Sequence, residues 1–223
     1  MAAPTLRRLA LAAAWLPFAA QALCTSDGAT RPTAVLERFI AADCATCWAE
    51  PGTPRPAPDA LALDWVLPGR KGDDAPLSAA ALDEARQRMV FLRRPQPRRR
   101  DAVDSAREGP AMQLRLAQGA AFNDYLAASI ALQRPGREPW HAWLLLIESV
   151  PAGTEGSPVA RNLVRNVFTP DSWLRPVGRP PRLTELRSMQ IRAGAQPDRL
   201  RLVALLHDGK GRLRAISQTE CRE

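Results

Sequence analysis

Apolar and polar residues change their spacing several times along this 223-residue chain, and each spacing predicts an element. Residues 33–40 (TAVLERFI) alternate around β-forming side chains, which predicts a strand. Residues 61–67 (LALDWVL) are apolar almost throughout and predict a second, mostly buried strand closed by Pro68-Gly69. Between them, residues 49–59 carry Pro51, Pro54, Pro56 and Pro58. Each proline removes a backbone donor and biases its predecessor away from helix, so this stretch is an irregular loop. Ser78 is a good N-cap, and residues 79–92 place Leu82, Ala85, Met89 and Leu92 on one helical face. Residues 93–109 read as a loop or frayed extension that ends in Gly109-Pro110, ahead of a strand over 111–116. Residues 123–133 predict a second helix, stopped by Pro135-Gly136.

Beyond Pro139 the pattern turns mainly β. Residues 140–150 form one long apolar strand candidate, 162–168 alternate, and 183–191 fit either a helix or a strand. The last two strands, over 200–207 and 212–219, flank Asp208-Gly209-Lys210-Gly211, a hairpin signature. A strand running into Cys44-Ala45-Thr46-Cys47, then strand, helix, Gly-Pro, strand and helix, is the element order of a thioredoxin-type unit. The chain therefore predicts an α/β fold: a thioredoxin-like domain over 23–134, then a β-rich antiparallel domain over 135–223.

The first 22 residues predict a cleavable secretory signal. Arg7 and Arg8 supply a basic start, residues 9–20 form an apolar run broken only by Pro17, and Ala20-Gln21-Ala22 offers small side chains to a peptidase. Lipoprotein processing at Cys24 is disfavoured by Leu23, and a twin-arginine signal is the lesser alternative. No later stretch reaches the roughly 20 apolar residues of a membrane span. The expected location of the mature chain is a bacterial periplasm or the exterior.

Charge adds little. Loss of Arg7 and Arg8 takes the formal net charge from +8 to +6. The one dense basic run, Arg93 to Arg100, is punctuated by prolines and has no aromatic residue to stack a base, so it reads as a solvated loop and not a nucleic-acid site. Asp73-Asp74 beside Gly72 reads as turn chemistry. His141 and His207 lack metal-type spacing with the cysteines, and no phosphate loop, dinucleotide fingerprint or other cofactor motif is present; no metal or cofactor is expected.

Four cysteines in an exported chain are an even set. Local proximity pairs Cys44 with Cys47 and leaves Cys24 with Cys221, a structural bridge that closes nearly the whole mature chain and stabilises it by roughly 4–5 kcal/mol in the chain-entropy model. In a thioredoxin-type C-x-x-C the first cysteine, at a helix N-terminus, attacks a substrate disulfide and the second resolves the mixed disulfide. Here Cys44 would attack, Cys47 would resolve and Pro110, in a cis bond, would line the substrate site. Trp48, next to Cys47, is the best candidate to bind an extended peptide, in a groove that Trp140, Trp143 and Trp173 would extend.

Residues 37–47 (ERFIAADCATC) resemble the signature E-L-F-T-S-x-G-C-x-x-C of an exported thioredoxin-like family, domain-of-unknown-function family 1223. Residues 84–89 (EARQRM), Gly109-Pro110, residues 162–165 (NLVR) and the closing hairpin resemble further parts of that family in order. The resemblance implies a thioredoxin-like unit followed by a β-rich unit and brings no established activity. Arg38, Ile40 and Asp43 depart from the signature, and Pro51 stops any helix within a turn of Cys47. Asp43 and Glu50 add negative charge that disfavours a thiolate. Two functions follow as expectations: a thiol-disulfide oxidoreductase acting on periplasmic protein thiols, or a non-enzymatic binding or accessory module with a structural C-x-x-C disulfide.

Overall fold

A computed structural model describes residues 24–178 and 180–221; the expected signal segment lies outside them. The described strands are β1 (Cys24–Thr25), β2 (Ala34–Ala41), β3 (Ala60–Leu67), β4 (Arg100–Ala106), β5 (Leu114–Phe122), β6 (Tyr125–Gln133), β7 (Trp140–Val150), β8 (Arg161–Phe168), β9 (Arg182–Gln190), β10 (Leu200–Asp208), β11 (Leu213–Gln218) and β12 (Glu220–Cys221). Two α-helices accompany them, α1 (Ala45–Trp48) and α2 (Asp83–Phe91). One sheet has the order β12-β1-β5-β6-β9, and the other β11-β10-β7-β8-β3-β2-β4. Among the described residues no helix is long and apolar enough to cross a membrane.

This β-rich, two-sheet fold replaces the α/β thioredoxin-like unit expected from the sequence. The second helix expected over 123–133 is strand β6. Asn123 and Asp124 adopt φ of +47° and +59°, and Phe122 faces Tyr125 across them, which is the geometry of a two-residue hairpin turn. Its sequence, YLAASIALQ, holds small residues that satisfy either period; pairing with β5 decides for period two, burying Leu126, Ala128, Ile130 and Leu132. Strand β4 was expected as loop. Its sequence, RDAVDSA, is only partly buried at a sheet edge and so carries no apolar signal. Both sheets take strands from either side of the boundary expected near residue 135.

The long apolar run of β7 follows from burial on both faces. Leu144 and Leu146 pack with Leu202, Leu206, Leu116 and Ile130 between the two sheets. Leu145 and Ile147 point the other way, joining Phe39, Trp65, Val203, Leu82 just before α2, and the inner side of α2 at Ala85 and Met89. At β2, β3 and β8 the face that elsewhere meets the smaller sheet is covered by the segment after β2. There Ile40, Val66 and Leu163 pack on Cys44, Cys47 and Trp48.

Candidate functional site

The chain leaves β2 through a tight turn in which the Cys44 N–H donates to the Ala41 carbonyl at 2.9 Å. Asp43, within that turn, accepts the backbone N–H groups of Arg70 at 2.7 Å and Lys71 at 3.2 Å. The Arg70 N–H chiefly holds its carboxyl below the ordinary 3.8. The glycine at residue 69 leaves room for this arrangement, because a Cβ there would push the Asp43 carboxylate out of its place. The carboxylate beside Cys44 is therefore fixed and ionised.

Cys44 and Cys47 are joined in a disulfide across the single turn of α1. They are 8% and 2% exposed. The Cys44 Sγ lies 3.5 Å from the Thr46 Oγ1, which in turn accepts from the Arg99 Nη2 at 3.4 Å. Cys47 forms part of the wall of a pocket of about 170 Å³, together with Arg38, Thr53, Pro54 and Arg100.

A buried charge cluster holds this loop against the sheet. From β3, Asp64 accepts the Arg161 Nη1 at 2.7 Å, the Asn162 N–H at 3.1 Å and a hydrogen bond from the Arg38 Nη2. Arg161 also donates through Nη2 to the Trp48 carbonyl and through Nε to the Ser157 Oγ, both at 2.7 Å, and its Cζ sits 4.5 Å from the centre of the Trp48 ring. Arg38 reaches on to the Pro54 carbonyl at 3.1 Å. Burial lowers the Arg161 pKa while Asp64 opposes that shift. Trp48 is not a peptide platform: it is buried and donates its Nε1 to the Glu155 carbonyl at 2.8 Å. Asp64 sits inside an apolar strand and Arg161 at the start of another, where sequence reading found no chemistry. An acid in the middle of LALDWVL was the available signal.

A second buried cluster lies on the opposite face of β2. Glu37 accepts the Arg88 Nε at 2.8 Å and Nη2 at 2.7 Å, and the Trp65 Nε1 at 3.0 Å. The Arg88 Cζ is 5.2 Å and 5.0 Å from the ring centres of Phe91 and Trp143, and its Nη2 meets the His207 Nε2 at 3.5 Å. A guanidinium on that nitrogen requires neutral imidazole. Burial, helped by Arg88, pushes His207 well below its ordinary 6.5. In the unfolded chain His207 takes up its proton below about pH 6.5, so its contribution is complete above that pH and is lost as pH falls towards the folded value. Urea-unfolding free energy is expected to decline between pH 7 and 5 by up to about 1.4 kcal/mol per pH unit from this group. His207→Gln should flatten that slope.

Pro110 stands apart from the cysteines. It is exposed in the loop between β4 and β5, does not line the pocket at Cys47, and no peptide bond among the described residues is cis. Two residues earlier, the Glu108 N–H donates to the Leu213 carbonyl on β11. Trp140, Trp143 and Trp173 are core residues, and the Trp140 Nε1 donates to the Pro135 carbonyl at 2.8 Å. His141 faces His207 across the β7–β10 pair and packs on Phe91. The basic run is exposed: Arg94 pairs with Asp101 and Arg100 with Glu50.

The chain matches no protein-family profile, no curated protein and no solved structure. Geometry alone therefore bears on function. What it assembles around the C-x-x-C is a short, enclosed disulfide with a fixed anion on one side and a buried Asp64–Arg161–Trp48 stack beneath.

Proposed function

We propose that the protein is an exported, non-enzymatic binding or accessory module in which the Cys44–Cys47 disulfide braces the loop that covers β2 and β3 on the face not reached there by the smaller sheet. The observation that carries this reading is the enclosure of both sulfurs among Ile40, Val66, Val150 and Leu163. Thiol-disulfide exchange needs a thiolate to approach the S–S bond and a thiolate to leave it. Apolar burial raises thiol pKa values and hinders both steps. The ionised Asp43 next to Cys44 works in the same direction. Two disulfides suit an oxidising compartment, which supports a periplasmic or secreted location. The likeness to domain-of-unknown-function family 1223 adds no activity.

One observation favours the oxidoreductase alternative. The pocket gives an opening beside Cys47, lined by Arg38 and Arg100, although Asp64 and Glu50 pair with these two cations and Asp101 stands in the same wall. Oxidised protein held in millimolar glutathione buffer and then treated with an alkylating reagent separates the two readings. Cys44 and Cys47 are expected to stay unlabelled. Rapid labelling, joined by a Cys47→Ser variant that traps partner proteins through Cys44 as mixed disulfides, would transfer the function to thiol-disulfide exchange.

A further inference from the structure

Strand β9 is the outer strand of the smaller sheet, nine residues long and, among the described residues, paired with β6 alone. Unpaired strands of this length are ready templates for another strand, and proteins ordinarily blunt them. The hydrogen bonds at both ends of β9 show which backbone groups are free. The Pro181 carbonyl accepts from Arg134, and the Ile191 N–H donates to Asp124, so odd-numbered residues point their polar groups towards β6. The Gln190 carbonyl points the other way, where the Asn166 Nδ2 occupies it at 2.9 Å. The alternation of antiparallel pairing then turns the N–H and C=O groups of Thr184, Leu186 and Ser188 outward. At the centre of this row Leu186 is 71% exposed, one of the few large apolar side chains left in solvent among the described residues.

The sequence of β9, RLTELRSMQ, is complementary to itself when reversed about Leu186. In an antiparallel pair of two β9 strands centred there, Leu186 faces Leu186 as a hydrogen-bonded pair and Thr184 faces Ser188. Glu185 faces Arg187 on both sides of the two-fold axis, at the closer, non-hydrogen-bonded positions where side chains meet best. Opposite charges are thus matched twice, and about six backbone hydrogen bonds form. Arg187 is half-exposed above the Phe168 ring and 3.5 Å from its own Glu185, whose Oε1 also accepts from the Ser172 Oγ at 2.6 Å; in the paired strands Arg187 would face the partner's Glu185 as well.

We infer that β9 is a homodimerisation edge, joining two copies of this chain so that the five-stranded sheet continues into a ten-stranded one. A two-fold, isologous contact is the commonest way for identical chains to associate. The contact is small, so the dimer forms in the micromolar range and not below it.

Sedimentation equilibrium of the oxidised, signal-free protein from about 1 to 200 μM tests the inference. A reversible monomer–dimer equilibrium is expected. Leu186→Lys places like charges on the axis and is expected to weaken association at least tenfold, while the thermal unfolding of the dilute monomer changes little because the side chain is exposed. Glu185→Arg should dissociate the dimer, and the double exchange Glu185→Arg/Arg187→Glu should restore it. A chain that stays monomeric at 200 μM overturns the inference and leaves the edge to an extended segment of another protein. So does a dimer whose strength is the same in the Leu186→Lys and Glu185→Arg variants.

Discussion

Asp64→Ala is expected to lower stability by about 3–5 kcal/mol, the range found when one partner of a buried ion pair is removed. Its carboxylate is shared by Arg38 and Arg161, and both guanidinium groups are almost fully enclosed. Without it two buried cations face each other, each repelling the other and neither able to regain water. The same loss should loosen the covering loop, because Arg161 bonds the Trp48 carbonyl and Arg38 the Pro54 carbonyl. Urea titration measures the first effect and amide hydrogen exchange over residues 45–54 the second. Replacing all three charges with apolar side chains of similar volume is expected to recover much of the loss, since the penalty comes from the uncompensated charge. A change below about 1 kcal/mol in Asp64→Ala would mean that apolar packing alone holds the loop down.

Removal of the other disulfide should be comparably severe. Cys24 and Cys221 are register partners in adjoining antiparallel strands, 197 residues apart in sequence. Closing a loop of that length restricts the unfolded chain by about 5 kcal/mol, against about 2 kcal/mol for the short Cys44–Cys47 loop. The strands β1 and β12 hold two residues each and have little pairing of their own to fall back on. Cys24→Ser/Cys221→Ser is therefore expected to shift the urea midpoint well beyond the shift in Cys44→Ser/Cys47→Ser. Equal shifts in the two variants would remove the chain-entropy account of the long bridge.

Where one physical signal dominates, the sequence announced the structure. The runs that became β2, β3, β7 and the β10–β11 hairpin are long, apolar and closed by turn residues, and both disulfides were expected from cysteine placement. The helix that became α2 was anticipated too, although it starts at Asp83 and not after Ser78. The failures have different causes. Residues 125–133 are rich in alanine, which fits helix and strand alike, and only the positive φ of Asn123 and Asp124 turns the chain back on itself. The edge strand β4 owes its form to its partner β2, not to its own side chains. The candidate site was legible only at the cysteines. Glu37 and Arg165, noticed in motifs, pair inside the core with Arg88 and Glu148, partners 51 and 17 residues distant that no local pattern reveals.

Strand β1 sits between β5 and β12, so the beginning of the described chain is completed by residues near 118 and near 221. The larger sheet is interleaved in the same manner, with β3 beside β8 and β10 beside β7. A polypeptide made from its amino end can therefore finish neither sheet until its last strands have been added. Its early segments must stay partly open until the carboxyl end arrives, so both sheets close late and together.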